Sequence, residues 1–251
     1  MISVTILTKN SARYLPQVLA SLSEFNEVLI YDNGSQDETL KIAEKYSNVV
    51  IVKGDFVGFG PTHNIASSLA KNDWILSLDS DEVATPEMVR EIFKISLEAD
   101  CVYSFPRNNY YNEKLILWCG WHPDRQIRLY NRSKTHFDNA HVHEAIVSKG
   151  MRIVPLRVGF LHYSYSSHSE FLSKMQSYSD LFAKQRAGRV KSSPCKAVLH
   201  GFFAFFKAYI LKRGIFGGYE GFVISAYNGN TAFYKYLKLH EANKKVNKPD
   251  G

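Results

Sequence analysis

Glu27-Val-Leu-Ile-Tyr-Asp-Asn-Gly-Ser-Gln-Asp-Glu-Thr39 decides the fold: a β-rich run ends in a glycine-containing turn, and a helical segment follows. Ser35 and Glu38 match the Ser-x-x-Glu capping box that opens helices. Asp32, at the tip of the strand, is placed to accept hydrogen bonds from a nucleobase or ribose, and the backbone N–H groups of the turn can hold polar ligand atoms. The stretch therefore predicts a strand, a turn and a helix. The turn either binds a ligand or is only a well-formed connection between the strand and the helix.

The same order of strand and helix repeats from residue 1 to about residue 105. Between the β-rich runs, apolar residues at i, i+3, i+4 and i+7 spacing indicate helices with one buried face. This alternation predicts an α/β fold with a mostly parallel sheet sandwiched by helices, and ligands at the carboxyl ends of the strands. The predicted strands are 3–7, 27–31, 49–52 and 74–78, and the helices begin near Leu15, Ser35, Pro61 and Pro86.

Composition excludes disordered and fibrous classes, because 45% of the 251 residues are hydrophobic and 22% are charged. The net charge of +7 suits an anionic partner. Three cysteines without a close pair favour a reducing compartment, and the short apolar N-terminus does not fit a signal peptide. The longest uncharged apolar run, 197–206, is about half of the ~20 residues that a spanning helix needs. These features predict a cytoplasmic protein without a transmembrane helix.

Acidic residues cluster where the fourth strand ends, in Leu76-Ser-Leu-Asp-Ser-Asp-Glu82. Alternation along an extended backbone directs Asp79 and Asp81 to the same side. A hard divalent cation, Mg²⁺ or Mn²⁺ shared with a diphosphate, would relieve their repulsion. The alternative is structural: Asp79 only ends the strand, and Asp81 and Glu82 are solvated turn residues.

Together these segments resemble the family 2 glycosyltransferases of the GT-A fold, which are Rossmann-like. A second set of segments is similar to the bacterial subgroup that adds glucose to the inner core of lipopolysaccharide. The first resemblance is carried by 4–10, 32–39, Asn64 and 78–82, and the second by 120–130, Val142-His143-Glu144 and 159–165.

The resemblance implies two domains and a set of site residues. Residues 1–165 would be the nucleotide-sugar-binding and catalytic domain, and residues 166–251 a basic, aromatic helical extension for acceptor or membrane contact. The donor would be a UDP-sugar. The implied donor-binding residues are Thr8, Asn10 and Asp32 at the nucleoside, Asn64, and Asp79 at the ribose or sugar; the implied metal ligands are Asp81 and His162. The sequence departs from the common family pattern at Lys9 and His63, which leaves details of the diphosphate contacts open.

Inverting glycosyl transfer also needs a base that takes the proton of the acceptor hydroxyl. Glu144 is the preferred candidate, on position and resemblance. Asp124 is the competitor, either as the base or as a residue that orients Arg128. His141, His143 and His162 can alternatively be grouped as a zinc triad, which no further ligand spacing supports.

The C-terminal region alternates cations with aromatic residues, a pattern typical either of a helix at a bilayer interface or of a helix packed on the sheet. The predicted function is metal-dependent, inverting transfer of a hexose, glucose, from a UDP-sugar to a lipopolysaccharide inner-core, glycolipid or oligosaccharide acceptor. This activity would place the protein on the inner face of the cytoplasmic membrane, with no nucleic-acid partner. The rival functions are a nucleotidyl or phosphoryl transferase using the same Asp pair, although a P-loop is missing, and a non-catalytic basic module that binds membrane or nucleic acid.

Overall fold

The computed structural model describes residues 1–139, 144–165 and 167–246. They form two compact units. The first contains residues 1–108 and the described residues of 124–163, and the second contains 109–123 and the described residues from 164 onward. The division predicted between 165 and 166 did not anticipate that the segment 109–123 belongs with the helical unit.

Four parallel strands, in the order β3-β2-β1-β4, form one half of the sheet. Their positions confirm the four predicted strands within one or two residues. Apolar residues of β1, β2 and β4 are almost fully buried, as expected for strands covered on both faces. The bounds are β1 Ile2–Thr8, β2 Val28–Asp32, β3 Val49–Lys53 and β4 Trp74–Asp79.

The remaining strands make the sheet mixed, because β8 is antiparallel to both β4 and β6, and β10 is antiparallel to β5. The strand order is β3-β2-β1-β4-β8-β6-β10-β5, with β7 and β9 each paired to β6. The bounds are β5 Glu82–Ala84, β6 Cys101–Tyr111, β7 Lys114–Leu115, β8 Arg125–Asn131, β9 Arg152–Pro155 and β10 Phe160–Tyr165. The predicted α/β class of GT-A type is confirmed.

Four helices of the first unit connect its strands. The predicted capping box at Ser35 and Glu38 is wrong, because the helix begins at Thr39 and the Ser35 hydroxyl bonds to Asp32 instead. Thr85, by contrast, caps its helix by accepting a hydrogen bond from the backbone of Met88 at 3.2 Å. The helices are α1 Leu15–Ser21, α2 Thr39–Ala43, α3 Phe59–Leu69 and α4 Pro86–Lys94.

The second unit is helical, as predicted. Its helices are α5 His168–Arg186, α6 Pro194–Phe206, a π-helix Lys207–Leu211, a 3₁₀ helix Gly214–Gly217 and α7 Gly218–Val246. A small core of its own joins Tyr111, Ile116 and Cys119 to Phe171 and Ile224. Within the described part of the chain, none of the helices combines the length and the apolar character needed to cross a bilayer.

Candidate active site

The carboxyl ends of β2, β1 and β4 lie side by side and bring three predicted site residues to one edge. Strand register places Thr8 of β1 opposite Asp32 of β2, and Leu7 opposite Asp79 of β4. Ligands of open α/β sheets bind at this edge, where loops leave the parallel strands. The structure therefore brings Thr8, Asp32 and Asp79 together at the expected place.

Asp32 is buried and organises the turn that follows β2. Its carboxylate accepts hydrogen bonds from the Thr8 hydroxyl at 2.9 Å, the Gly34 and Ser35 backbone N–H groups at 3.0 and 2.9 Å, and the Ser35 hydroxyl at 2.5 Å. Burial alone would raise its pKa, but hydrogen bonds from Ser35, Thr8 and Gly34 outweigh burial and lower the pKa. Asp32 is thus ionised and engaged with the protein, and direct contact with a nucleoside stays a prediction.

Asn10 links the turns after β1 and β2. Its backbone, in the left-handed region with φ of 53°, donates to the Ser35 hydroxyl at 2.9 Å. Its side-chain oxygen accepts from the Gln36 backbone at 2.8 Å. The two turns are therefore held in one arrangement beside the strand ends.

A cavity of about 420 Å³ opens at this edge, within the size range of small-molecule sites. Phe56 and Phe59 form part of its wall, with ring centroids 4.9 Å apart and 48% and 43% of each residue exposed. Exposed aromatic faces of this kind can stack on a planar ligand. Sequence reasoning missed both residues, although two phenylalanines beside Gly58 in a predicted loop were a usable signal. The cavity is lined by Leu7, Thr8, Lys9, Ser11, Asn33, Phe56, Phe59 and Ser80.

Asp81 and His162 are brought together by the pairing of β5 with β10. His162 lies opposite Glu82 in that pairing, and its Nε2 is 3.7 Å from Asp81 Oδ2. The Tyr163 backbone N–H donates to the Asp81 carbonyl at 3.1 Å, which fixes the turn. A carboxylate oxygen suits Mg²⁺ or Mn²⁺, and an imidazole nitrogen is a ligand of divalent first-row metals, so this donor pair fits a divalent cation.

Asp79, whose side chain is 40% exposed, joins a charge network around the buried Arg128 and Glu82 that sequence reasoning missed. Arg128, 6% exposed, donates to Asp79 at 2.6 Å and to Glu82 at 2.5 Å. Glu82 is fully buried, so it is not the solvated turn residue of the structural alternative. Burial raises the pKa of the Glu82 carboxyl, whereas the Arg128 charge lowers the pKa of Asp79 against the effect of burial. An arginine between two apolar residues, Ile127 and Leu129, was the available signal.

Asp124 pairs with a different arginine. Its carboxylate accepts from Arg107 Nε at 2.7 Å and from the Gln126 amide at 2.9 Å. Arg128 itself is held by Asp79 and Glu82, and an orienting role of Asp124 toward Arg128 stays a prediction.

Glu144 follows residues 140–143, which lie outside the described residues. The predicted His141, Val142 and His143 belong to this range. On either side of them the chain pairs with itself, through an antiparallel bridge between Phe137 and Ile146. Asn64 of α3 anchors this segment, since its amide donates to the Phe137 carbonyl and accepts from the Phe137 N–H, each at 2.9 Å. Asn64 thus holds the backbone of Phe137, and its contact with the donor stays a prediction.

His63, a departure from the common family pattern, is buried under this segment. Its ring stacks on Phe137 at 4.4 Å, and its Nδ1 is 3.2 Å from the Ser77 hydroxyl. Burial lowers the pKa of His63 to about 4, so the ring is neutral at pH 7. His63 is therefore part of the packing beneath the site.

The sequence is similar to those of known glycosyltransferases. Residues 3–154 match the sequence profile of glycosyl transferase family 2. A Rickettsia felis protein named only as a glycosyltransferase is 30% identical over 96% of this chain and 90% of its own length. The lipopolysaccharide core biosynthesis glycosyltransferase LpsC of Rhizobium meliloti is 24% identical over 96% of this chain and 92% of its own.

Among solved structures, residues 1–349 of S. aureus TarS in complex with UDP-GlcNAc align with 98% of this chain and 90% of that one, at 15% identity and a TM-score of 0.48. The family profile matches more than half of this chain, and the Rickettsia relative spans nearly all of it. The chain therefore belongs to glycosyl transferase family 2 and is a glycosyltransferase.

Proposed function

We propose that this glycosyltransferase is inverting and metal-dependent. It would transfer a hexose, with glucose as the preferred sugar, from a UDP-sugar donor to a lipopolysaccharide inner-core or related glycolipid acceptor. The observation that carries the proposal is the Asp81–His162 pair beside the cavity at the strand ends. The lipopolysaccharide core enzyme that is similar along nearly the full chain supports the acceptor class.

The donor would lie along the carboxyl edge of the sheet. Its nucleoside would occupy the cavity near Thr8, Asn10 and Asp32, and Asp79 would face the ribose or sugar. Asp81 and His162 would hold Mg²⁺ or Mn²⁺, which when bound neutralises negative charge on the leaving diphosphate.

Glu144 would act as the base of the reaction. The acceptor oxygen forms a bond to the anomeric carbon while the bond from that carbon to the diphosphate oxygen breaks, and the hydroxyl proton passes to the Glu144 carboxylate. Attack from the face opposite the leaving group inverts the anomeric configuration.

The test is incubation with UDP-, GDP- and dTDP-sugars, with and without Mn²⁺, while nucleoside diphosphate release is followed. We expect metal-stimulated turnover of UDP-glucose, lost in Asp81→Asn. Asp73→Asn is the matched control, because Asp73 precedes β4 at the opposite end of the strand and pairs with Arg132 at 3.1 Å.

Full metal stimulation in Asp81→Asn would exclude the metal site. Turnover of nucleoside triphosphates in preference to every nucleotide sugar would instead favour the nucleotidyl transferase function.

A further inference from the structure

Helix α6 carries large apolar side chains on its outer face. Leu199, Phe202 and Phe203 are 64%, 68% and 58% exposed. The i, i+4 spacing continues this stripe into the π-helix, and the rings of Phe202 and Phe206 stack with centroids 6.4 Å apart. The outer face, as defined here, comprises Val198, Leu199, Phe202, Phe203, Phe206, Ile210 and Leu211, all at least 39% exposed.

Close packing on the inner side of α6 leaves these side chains outside. The inner side contains Ala197 and Gly201, both buried. A Cβ on Gly201 would lie 3.0 Å from Phe233 Cβ and 3.2 Å from the Gly229 carbonyl, so α6 and α7 touch through their glycines. Because α7 is packed against this small-residue side, the bulky side chains face away from the core. Soluble monomers rarely expose a continuous apolar surface of this kind without a binding partner.

The charges around the outer face have one sign. Residues 181–219 contain no Asp or Glu and eight cations: Lys184, Arg186, Arg189, Lys191, Lys196, Lys207, Lys212 and Arg213. Lys207 and Lys212 are exposed at the two ends of the π-helix. A symmetric contact with a second copy would bring these cations against their own counterparts, which costs free energy. An anionic bilayer satisfies both the apolar stripe and the cations.

We infer that the outer face of α6 and the π-helix binds the surface of an anionic lipid bilayer, with the apolar side chains in the interface and the flanking lysines at the phosphates. The axis of α6 would lie parallel to the membrane plane. It extends the proposed function, because a glycolipid acceptor resides in such a surface, but it does not depend on the transferase chemistry.

Flotation with phosphatidylglycerol–phosphatidylcholine vesicles, compared with pure phosphatidylcholine vesicles, tests the inference. The full chain should float with the anionic vesicles and release as salt is raised. Phe202→Ser combined with Phe203→Ser should weaken partitioning by about tenfold or more. Lys207→Gln combined with Lys212→Gln should weaken it by about thirtyfold on anionic vesicles only.

A matched pair of single variants separates a specific face from general hydrophobicity. Leu199→Ser should weaken vesicle binding severalfold, whereas Leu172→Ser on α5, 60% exposed against 64%, should leave it unchanged. Equal binding by the two variants, or failure of the full chain to float, would overturn the inference.

Cys195 supplies a direct reporter on the same face of α6. It is exposed, while Cys101 and Cys119 are buried, so an environment-sensitive fluorophore attaches selectively. Its emission should shift to the blue on addition of anionic vesicles. A shift that instead grows with protein concentration in the absence of lipid would assign the face to self-association.

Vesicle binding should persist in Asp81→Asn, and donor hydrolysis without vesicles should persist in Leu199→Ser, so failure of either proposal is distinguishable from failure of the other.

Discussion

Glu144 and Asp124 differ in how the fold holds them. Asp124 is ion-paired to Arg107 and hydrogen-bonded by Gln126. Glu144 instead lies just before Ile146, which forms the antiparallel bridge with Phe137. Glu144→Gln should lower kcat by about 10² to 10⁴ with little change in donor affinity, because a general base contributes that much. Turnover and UDP-glucose binding should be measured on both Glu144→Gln and Asp124→Asn. The larger loss of kcat in Asp124→Asn, with donor binding intact, would reverse the assignment.

Arg128 compensates a carboxylate that has no access to water. Arg128→Met would leave the buried Glu82 beside Asp79 with Arg107, 3.9 Å away, as a remaining cation, so the loss of unfolding free energy should reach at most the ~3–5 kcal/mol that removal of one partner of a buried ion pair costs. Urea denaturation should show this loss, with part of it recovered when Glu82→Gln is added. Unchanged stability in Arg128→Met would mean that the network contributes little to folding.

His63 makes stability depend on pH in a defined window. Its pKa is about 4 in the fold against 6.5 for an unperturbed histidine, so between these values the unfolded chain binds more protons. The contribution of His63 to stability should therefore fall as pH drops from 6.5 to 4, by about 3 kcal/mol at ~1.4 kcal/mol per pKa unit, against an opposite contribution from Glu82, whose raised pKa favours the fold at lower pH. Asp32 acts at lower pH, because its lowered pKa stabilises the fold above the ordinary value of 3.8.

Urea denaturation at several pH values should show a shallower slope in this window for His63→Gln. His136→Gln is the control, since His136 is exposed. An unaltered slope in His63→Gln would contradict the assignment of the window to His63.

At the scale of elements, the first turn of α7 packs so closely on the 3₁₀ helix that position 221 has no room for a side chain. A Cβ on Gly221 would overlap the Gly214 carbonyl oxygen, which is backbone and cannot rotate away. Gly221→Ala should therefore lower the unfolding free energy by about 1–3 kcal/mol or more, despite the higher helix propensity of alanine. Thermal denaturation should be compared with Asn230→Ala, an exposed position on the same helix. Equal stability of the two variants would rule out the close approach.

Elements were predictable where local chemistry determines them. The strands β1 to β4 and the cap at Thr85 follow from apolar runs and a Thr-Pro start. The helix after Asp32 was placed too early, because the Ser35 hydroxyl, which the pattern assigns to a cap, bonds to the carboxylate of Asp32 and accepts from the backbone of Asn10. A side chain with several partners within reach cannot be assigned from spacing alone.

At the scale of the whole molecule, residues 109–123 make the first 165 residues incomplete as a fragment. Tyr111, Ile116 and Cys119 are buried in the core that also contains Phe171 and Ile224. A fragment ending at Tyr165 should bind more of a hydrophobic dye and melt at a lower temperature than the full chain, because this core loses its other half. A fragment that melts cooperatively at the same temperature as the full chain would show that 1–165 folds alone.

The sequence by itself determined the α/β order, the four parallel strands and the turns that carry Asp32 and Asp79, because periodicity and turn chemistry act over a few neighbouring residues. Tertiary structure decided which distant residues meet: His162 at Asp81, Arg128 between Asp79 and Glu82, and Asn64 at Phe137. It also decided that α6 turns Phe202, Phe203 and Phe206 outward, because glycines on α6 and α7 bring the backbones into contact. These outcomes depend on strand register and helix packing across long separations in the chain, for which a single sequence carries no local signal.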